Sequence, residues 1–261
     1  MNIVQAIILG GVEGLTEFLP ISSTAHLIVA QKIMGLDQNN EFFTVVVQSG
    51  AILAAIVYFR KRIIEVFTTK TNILKNIAVG ILPVLIIGFF ARKYINGWDN
   101  NILLLISSTI IFGIVFYAIE IWALNNNQPK KNLEKATLKD TLIMGLTQSL
   151  ALIPGTSRSG ATIAGGLSQN LRMSDAIDLS FLLGIPVLLI ATAYKIISFR
   201  NIDANTVSMT AVGTIISFGV GLLGVHLTLG LVRKYGFLPF AFYRIGFGLI
   251  LLAFYLGGFL H

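Results

Sequence analysis

The chain contains no cysteine in 261 residues, so disulfides and thiolate chemistry are excluded and no redox compartment can be read from it. Charge is also scarce. Asp, Glu, Lys and Arg make up 12% of the residues, against roughly 25% in an ordinary soluble domain. Over six stretches charge is missing altogether: 42–59, 76–91, 102–119, 179–194, 204–232 and 245–260. A basic leader is lacking too. The N-terminal MNIVQAIILGGVEG has no Lys or Arg and its apolar run is broken by Glu13, which does not fit a cleavable signal peptide.

What remains is oil. The chain is 55% hydrophobic, with a mean hydropathy of +0.81. Each charge-free stretch is long enough, or nearly so, to cross a hydrocarbon core about 30 Å thick as a helix. The fold class expected is therefore an all-α polytopic membrane protein. The formal charge of +7 does not point to nucleic acid. The basic residues collect in loops between apolar runs, where positive charge orients membrane helices.

The polar stretch NNNQPKKNLEKATLKD, residues 125–140, reads as a solvated linker. On either side of it the same landmarks recur in the same order. Gly14-Leu15-Thr16-Glu17 is matched by Gly145-Leu146-Thr147-Gln148, and PISSTAH by PGTSRSGAT. Gly50 is matched by Gly184, Ala78-Val79-Gly80 by Ala211-Val212-Gly213, and Arg92-Lys93-Tyr94 by Arg233-Lys234-Tyr235. The division predicted is a first repeat over 1–124, a cytoplasmic linker over 125–139 and a second repeat over 140–261. Residues 1–31 are broken at Pro20 to Ser23 into pieces too short to span. Each half then has one re-entrant helix–loop–helix and three spans. An odd number of crossings inverts the second half, an arrangement that can build a polar site inside lipid. Lys and Arg are richer on the side carrying Arg60–Arg62, Lys70, Lys130 and Arg233 than on the side carrying Lys32, Arg92 and Lys195. By the positive-inside rule the richer side is cytoplasmic and both termini lie outside.

Glu13 and Glu17 stand at i and i+4, so a helix puts them on one face. Ionised groups at membrane depth cost about 2.5–3.5 kcal/mol each on insertion scales. Adjacent carboxylates repel, so one holds a proton or a cation lies between them, and oxygen donors suit Mg²⁺ or Ca²⁺. Ser22, Ser23 and Thr24 can cap a second half-helix. His26, just beyond them, is a candidate general base or nucleophile. In PGTSRSGAT, glycines including Gly160 allow close backbone approach, and the apolar run that follows predicts a helix N-terminus facing the loop, which binds anions. Arg158, the one charge between Asp140 and Arg172, adds a planar fork for phosphate oxygens. Ser157, Ser159 and Thr162 add hydroxyl donors. Gln48 either lines this site or bonds between helices. Arg244 either snorkels or pairs inside, His226 reads as a helix–helix contact, and Asp175 and Asp178 as residues that cap and flank the next span. A carboxylate pair, a histidine and an arginine-bearing anion loop together suggest phosphoryl chemistry on a lipid.

EGLTEFLPISSTAH and PGTSRSGATI together resemble the undecaprenyl-pyrophosphate phosphatase family of bacteria, associated with bacitracin resistance. Its Glu/Gln-x-x-x-Glu and Pro-Gly-x-Ser-Arg-Ser-x-x-Thr motifs are both intact here. The resemblance implies a plasma-membrane enzyme that hydrolyses undecaprenyl pyrophosphate, recycling the lipid carrier of peptidoglycan synthesis. It implies that Glu13 and Glu17 work with a divalent cation and that Arg158 holds the pyrophosphate. It also implies that Ser23, His26, Ser157 and Thr162 line the pocket, and that the site opens to the outer face. The nucleophile stays open among Ser157, Ser23, His26 and water. The alternative is a transporter or flippase of an anionic polyprenyl lipid using the same site. A homodimer is compatible with so small a membrane protein.

Overall fold

A computed structural model describes residues 1–36, 41–95, 97, 98 and 101–259. Its regular elements are ten α-helices: α1 (Ile3–Thr16), α2 (Ser23–Ile33), α3 (Glu41–Thr68), α4 (Thr71–Ile95), α5 (Ile102–Asn125), α6 (Leu138–Ser149), α7 (Arg158–Ser168), α8 (Met173–Ser198), α9 (Ala204–Tyr235) and α10 (Leu238–Leu256). Six of them, α3, α4, α5, α8, α9 and α10, are long and apolar enough to cross a membrane. They coincide with the six charge-free stretches, although the last of those runs on to Leu260, outside the described residues. The chain is an all-α, polytopic membrane protein.

The other four helices are short. At 1.5 Å per residue, α1, α2, α6 and α7 are only about 17–21 Å long, well under the hydrocarbon thickness. They form two pairs, α1–α2 and α6–α7, each joined by a tight loop at a proline. The second loop is the longer and carries a single 3₁₀ turn, Leu150–Leu152.

Small residues let these short helices approach the long ones closely. A side chain on Gly14 would meet the backbone oxygen of Ser217 on α9 at 2.5 Å, and one on Gly145 would collide with the Gly80 backbone on α4. In the same way α10 closes on α5, where Gly113 leaves room for Ile245 and Arg244. Between these interfaces a ladder of stacked rings fills the core: Phe18 on Phe181 at 4.9 Å and Phe181 on Phe59 at 4.7 Å.

The polar segment after α5 is largely exposed but tied to its neighbours. Lys131 pairs its backbone with that of Asn170 and Arg172, and its ammonium reaches Asp140 at 2.8 Å. Asp140 also accepts from the Thr137 N–H in a capping box that starts α6. Ion pairs at this end join Lys70 to Glu134 and Arg233 to Asp178, while Lys195 pairs with Glu41 at the opposite end.

Candidate active site

The two loops end in matched, unusual geometry. Ser22 caps α2 and Ser157 caps α7, each with its hydroxyl accepting from the backbone N–H three residues on. Both serines have φ of 74°, a region that L-residues other than Asn and Asp seldom occupy. The turn aims each helix N-terminus back at the loop. The Gly160 N–H is taken by Ser157 Oγ, whereas those of Arg158 and Ser159 have no acceptor within the helix.

The loops lie against one another. Ser159 donates to the Leu19 carbonyl at 3.3 Å, and Gly160 packs on Pro20 and on the Phe116 ring, where a Cβ would not fit. Glu17 sits at the centre of this contact. Its Oε2 accepts from Ser23 Oγ at 2.7 Å, and its Oε1 accepts from Arg158 Nη2 at 3.1 Å. The first residue of each half-helix therefore donates to the same carboxylate. Arg158 lies 5.6 Å above the centre of the Phe18 ring and flat against Gly184 of α8. Its Nε has no hydrogen-bond partner among the described residues.

Glu13 lies one turn before Glu17, in reach of its carboxyl, and is 2% exposed. Its Oε1 is buried without a partner. An orphaned carboxylate oxygen beside a second carboxylate is a donor set that suits a hard cation. Among the described residues no group of three or more His, Cys, Asp or Glu forms. Such a cation would complete its shell from hydroxyls or from the substrate.

His26 is held from both sides. Nδ1 is 2.7 Å from the Ser22 carbonyl, which can only accept, so Nδ1 carries the proton and Nε2 accepts from Tyr243 Oη at 2.7 Å. The ring stacks on Phe247 with centroids 4.6 Å apart. Thr162 is fully buried, with its hydroxyl 2.7 Å from the Arg158 carbonyl and 3.2 Å from Gln148 Oε1.

Glu13, Glu17, Ser23, Arg158, Ser157, Ser159 and Thr162 thus come together, with Ser22 and His26 at the edge. Gln48 bonds between helices, accepting from Thr192 of α8 at 3.4 Å. Asp175 accepts from the Leu133 N–H, and His226 lies 3.5 Å from Tyr58 Oη on α3. Arg244 does not snorkel. It is fully buried and donates to the Gly155 carbonyl. Sequence reasoning passed over Gln148 as a site residue, although the matched landmarks paired it with Glu17. It also passed over Tyr243 and Gly184.

Residues 6–250 match the family model described as bacitracin resistance protein BacA. The chain belongs to that family. Proteins similar to it over nearly their whole length include an undecaprenyl-diphosphatase of Campylobacter jejuni, 38% identical over 100% of this chain and 97% of that one. Another undecaprenyl-diphosphatase, from Persephonella marina, is 38% identical over 98% of this chain and 100% of its own. A third, from Methanococcus aeolicus, is 37% identical over 98% and 99%.

Proposed function

We propose that this BacA-family protein hydrolyses undecaprenyl pyrophosphate to undecaprenyl phosphate and inorganic phosphate. The observation that carries the reading is the convergence of Ser23 and Arg158 on Glu17, beside a partly unsatisfied Glu13. One loop supplies carboxylates and a poised hydroxyl, and the other supplies a guanidinium and a helix N-terminus suited to phosphate.

In this reading Arg158 and the first N–H groups of α7 bind the pyrophosphate oxygens. The hydroxyl held 2.7 Å from Glu17 makes Ser23 the favoured nucleophile. Its proton passes to Glu17 as Oγ bonds the terminal phosphorus. The anhydride bond breaks with its electron pair going to undecaprenyl phosphate, and water then releases phosphate from the serine. His26, its Nε2 already taken by Tyr243, orients the loop rather than attacking. A divalent cation, Mg or Ca, held by Glu13 and Glu17, would neutralise charge on the transferring group.

The same reading carries the wider layout: an inverted repeat divided at 125–139, re-entrant α1–α2 and α6–α7 pairs, a plasma-membrane location, both termini outside, and a site open to the outer face. The separation of ion pairs between the two ends of the bundle supports this polarity, with the Lys- and Arg-rich end cytoplasmic. The test is phosphate release from a polyprenyl pyrophosphate by purified protein in detergent, with and without chelator. Glu17→Ala and Arg158→Ala should each abolish it, and acid-quenched enzyme should carry phosphate on Ser23. Release that persists at the wild-type rate in both variants ends the proposal.

A further inference from the structure

Arg244 is among the largest fully buried side chains of the described residues. It lies in the first half of α10, one of the six apolar helices. Nη2 donates to the Gly155 carbonyl at 2.5 Å, while Nε and Nη1 have no acceptor among the described residues. The guanidinium lies 5.1 Å over the centre of the Phe116 ring, the same ring that packs on Gly160 of α7. No carboxylate pairs with it among the described residues. A guanidinium stays charged in proteins, and an unpaired buried charge is costly where an apolar side chain of similar size would pack freely. The packing of α10 on α5 therefore gives no reason for this residue to be an arginine.

The loop it touches gives one. Pro154 and Gly155 open the PGTSRSGAT turn, and their carbonyls accept from side chains of the long helices. Ser108 of α5 donates to Pro154, and Arg244 donates to Gly155. Gly155, with φ of 89°, is wedged against Ser108, Thr109 and the Leu105 carbonyl, so it has no room to move inward. Tyr243, one residue earlier on α10, holds His26 in the first turn of α2, just past the other loop. Consecutive residues of a single helix thus grip the second loop and the helix start that follows the first.

We infer that Arg244 is a positioning residue for the anion site: it fixes the Gly155 end of the arginine loop and places an uncompensated positive charge behind it. The inference rests on the pyrophosphatase reading, since it names what that charge is for. Neutralising it leaves Arg158 and both carboxylates in place but weakens the hold on the pyrophosphate.

The test uses purified full-length Arg244→Met and Arg244→Lys, checked for folding by size-exclusion profile and thermal midpoint. Direct binding of inorganic pyrophosphate with Mg²⁺ is measured by calorimetry, alongside kcat and KM for a polyprenyl pyrophosphate. Loss of one charged hydrogen bond predicts about a tenfold or greater rise in pyrophosphate Kd and KM for Arg244→Met, with kcat less affected. Arg244→Lys, which keeps the charge but loses the fork, should fall between that variant and wild type. A wild-type Kd and KM in either folded variant overturns the inference, and Arg244→Lys decides it alone should the Met variant fail to fold. If wild type itself releases no phosphate, it is the function that fails; the binding measurement still reads the role of Arg244.

Discussion

Gly184 lies on α8, outside both loops, yet a single methyl group there should disable the enzyme without harming the fold. A Cβ at this position would collide with Arg158 Nη1 and come within 2.7 Å of its Cζ. Ordinary carbon contacts are about 3.5–4.0 Å, so the guanidinium must retreat by roughly 1 Å. From 3.1 Å the contact to Glu17 would then exceed hydrogen-bonding distance. Losing one charge-assisted bond is worth about 1.5–3 kcal/mol, or roughly 10- to 150-fold in kcat/KM at 1.4 kcal/mol per decade. A misplacement of about 1 Å costs around a hundredfold by independent precedent. Stability should fall by less than the lost bond is worth, because Gly→Ala inside a helix gains back about 0.5–1 kcal/mol. Gly184→Ala should therefore stay folded with a modestly lowered thermal midpoint while kcat/KM for a polyprenyl pyrophosphate falls by one to two decades. In an Arg158→Met background the same substitution should add almost nothing, since the two changes act through one group. Wild-type kcat/KM in Gly184→Ala, or an equal fold-loss in the Arg158→Met background, would refute the geometry.

Two further substitutions probe the frame. Ser22 and Ser157 both hold φ at 74°, a conformation glycine adopts freely, and strain of this kind is worth about 1–3 kcal/mol. Glycine at a helix cap costs only a few tenths of a kcal/mol. Ser157→Gly should hold or raise the thermal midpoint while losing activity, and a fall of several degrees would contradict the strain. Lys131→Met should destabilise the folded protein by about 1–2 kcal/mol at neutral pH, a figure discounted for the part-exposed lysine. Burial pushes the Asp140 carboxyl up, but Lys131 and the Thr137 cap outweigh it and hold the carboxyl below its usual value. A carboxyl depressed on folding stabilises above its unfolded pKa of about 3.9 and loses that contribution as pH falls through the lower folded value. The gap in thermal midpoint between wild type and Lys131→Met should narrow below about pH 4. An equal gap at both pH values would count against the staple.

The membrane spans were legible because their signal is local. A run without charge is a helix in lipid whatever its neighbours do. The boundaries were less so, because α3 continues past Arg60, Lys61 and Arg62 to Thr68, and nothing in an apolar run marks where a helix stops once it has left the hydrocarbon. The shared face of Glu13 and Glu17 followed from their spacing, and the anion loop from its glycines and arginine. Distant contacts were hidden. Gly184 matters through a residue 26 positions away, and the burial of Arg244 depends on the space left by Gly113 and on the Phe116 ring. The strain at Ser22 and Ser157 arises from loop closure, and serine carries no mark of it. The ties that hold the segment after α5 did not show in the sequence, because its polar residues match solvent as well as they match each other. Only the pairing with Asp140, Asn170 and Arg172 distinguishes the two.

Charge explains why the site needs both loops. Glu13 and Glu17 would bring up to two negative charges to a buried site where neither is stable alone. Against them stand the guanidinium of Arg158 and the N-termini of α2 and α7, each helix end equivalent to about half a positive charge. That set is close to neutral, which is how two buried acids can face one another without being driven apart. Remove either half-helix and the balance fails: without α7 the acids lose Arg158 and one helix end, and without α2 they lose Ser23 and the other. Arg244 then adds a positive charge behind the loop. A phosphate monoester carries about −1.5 to −2 at neutral pH, and a pyrophosphate ester carries at least as much. Its entry would overshoot the surplus that Arg244 provides, and the remaining negative charge must be met by a proton on a carboxyl or by a divalent cation at Glu13. Phosphate affinity should accordingly depend on cation concentration in wild type and lose most of that dependence in Glu13→Gln.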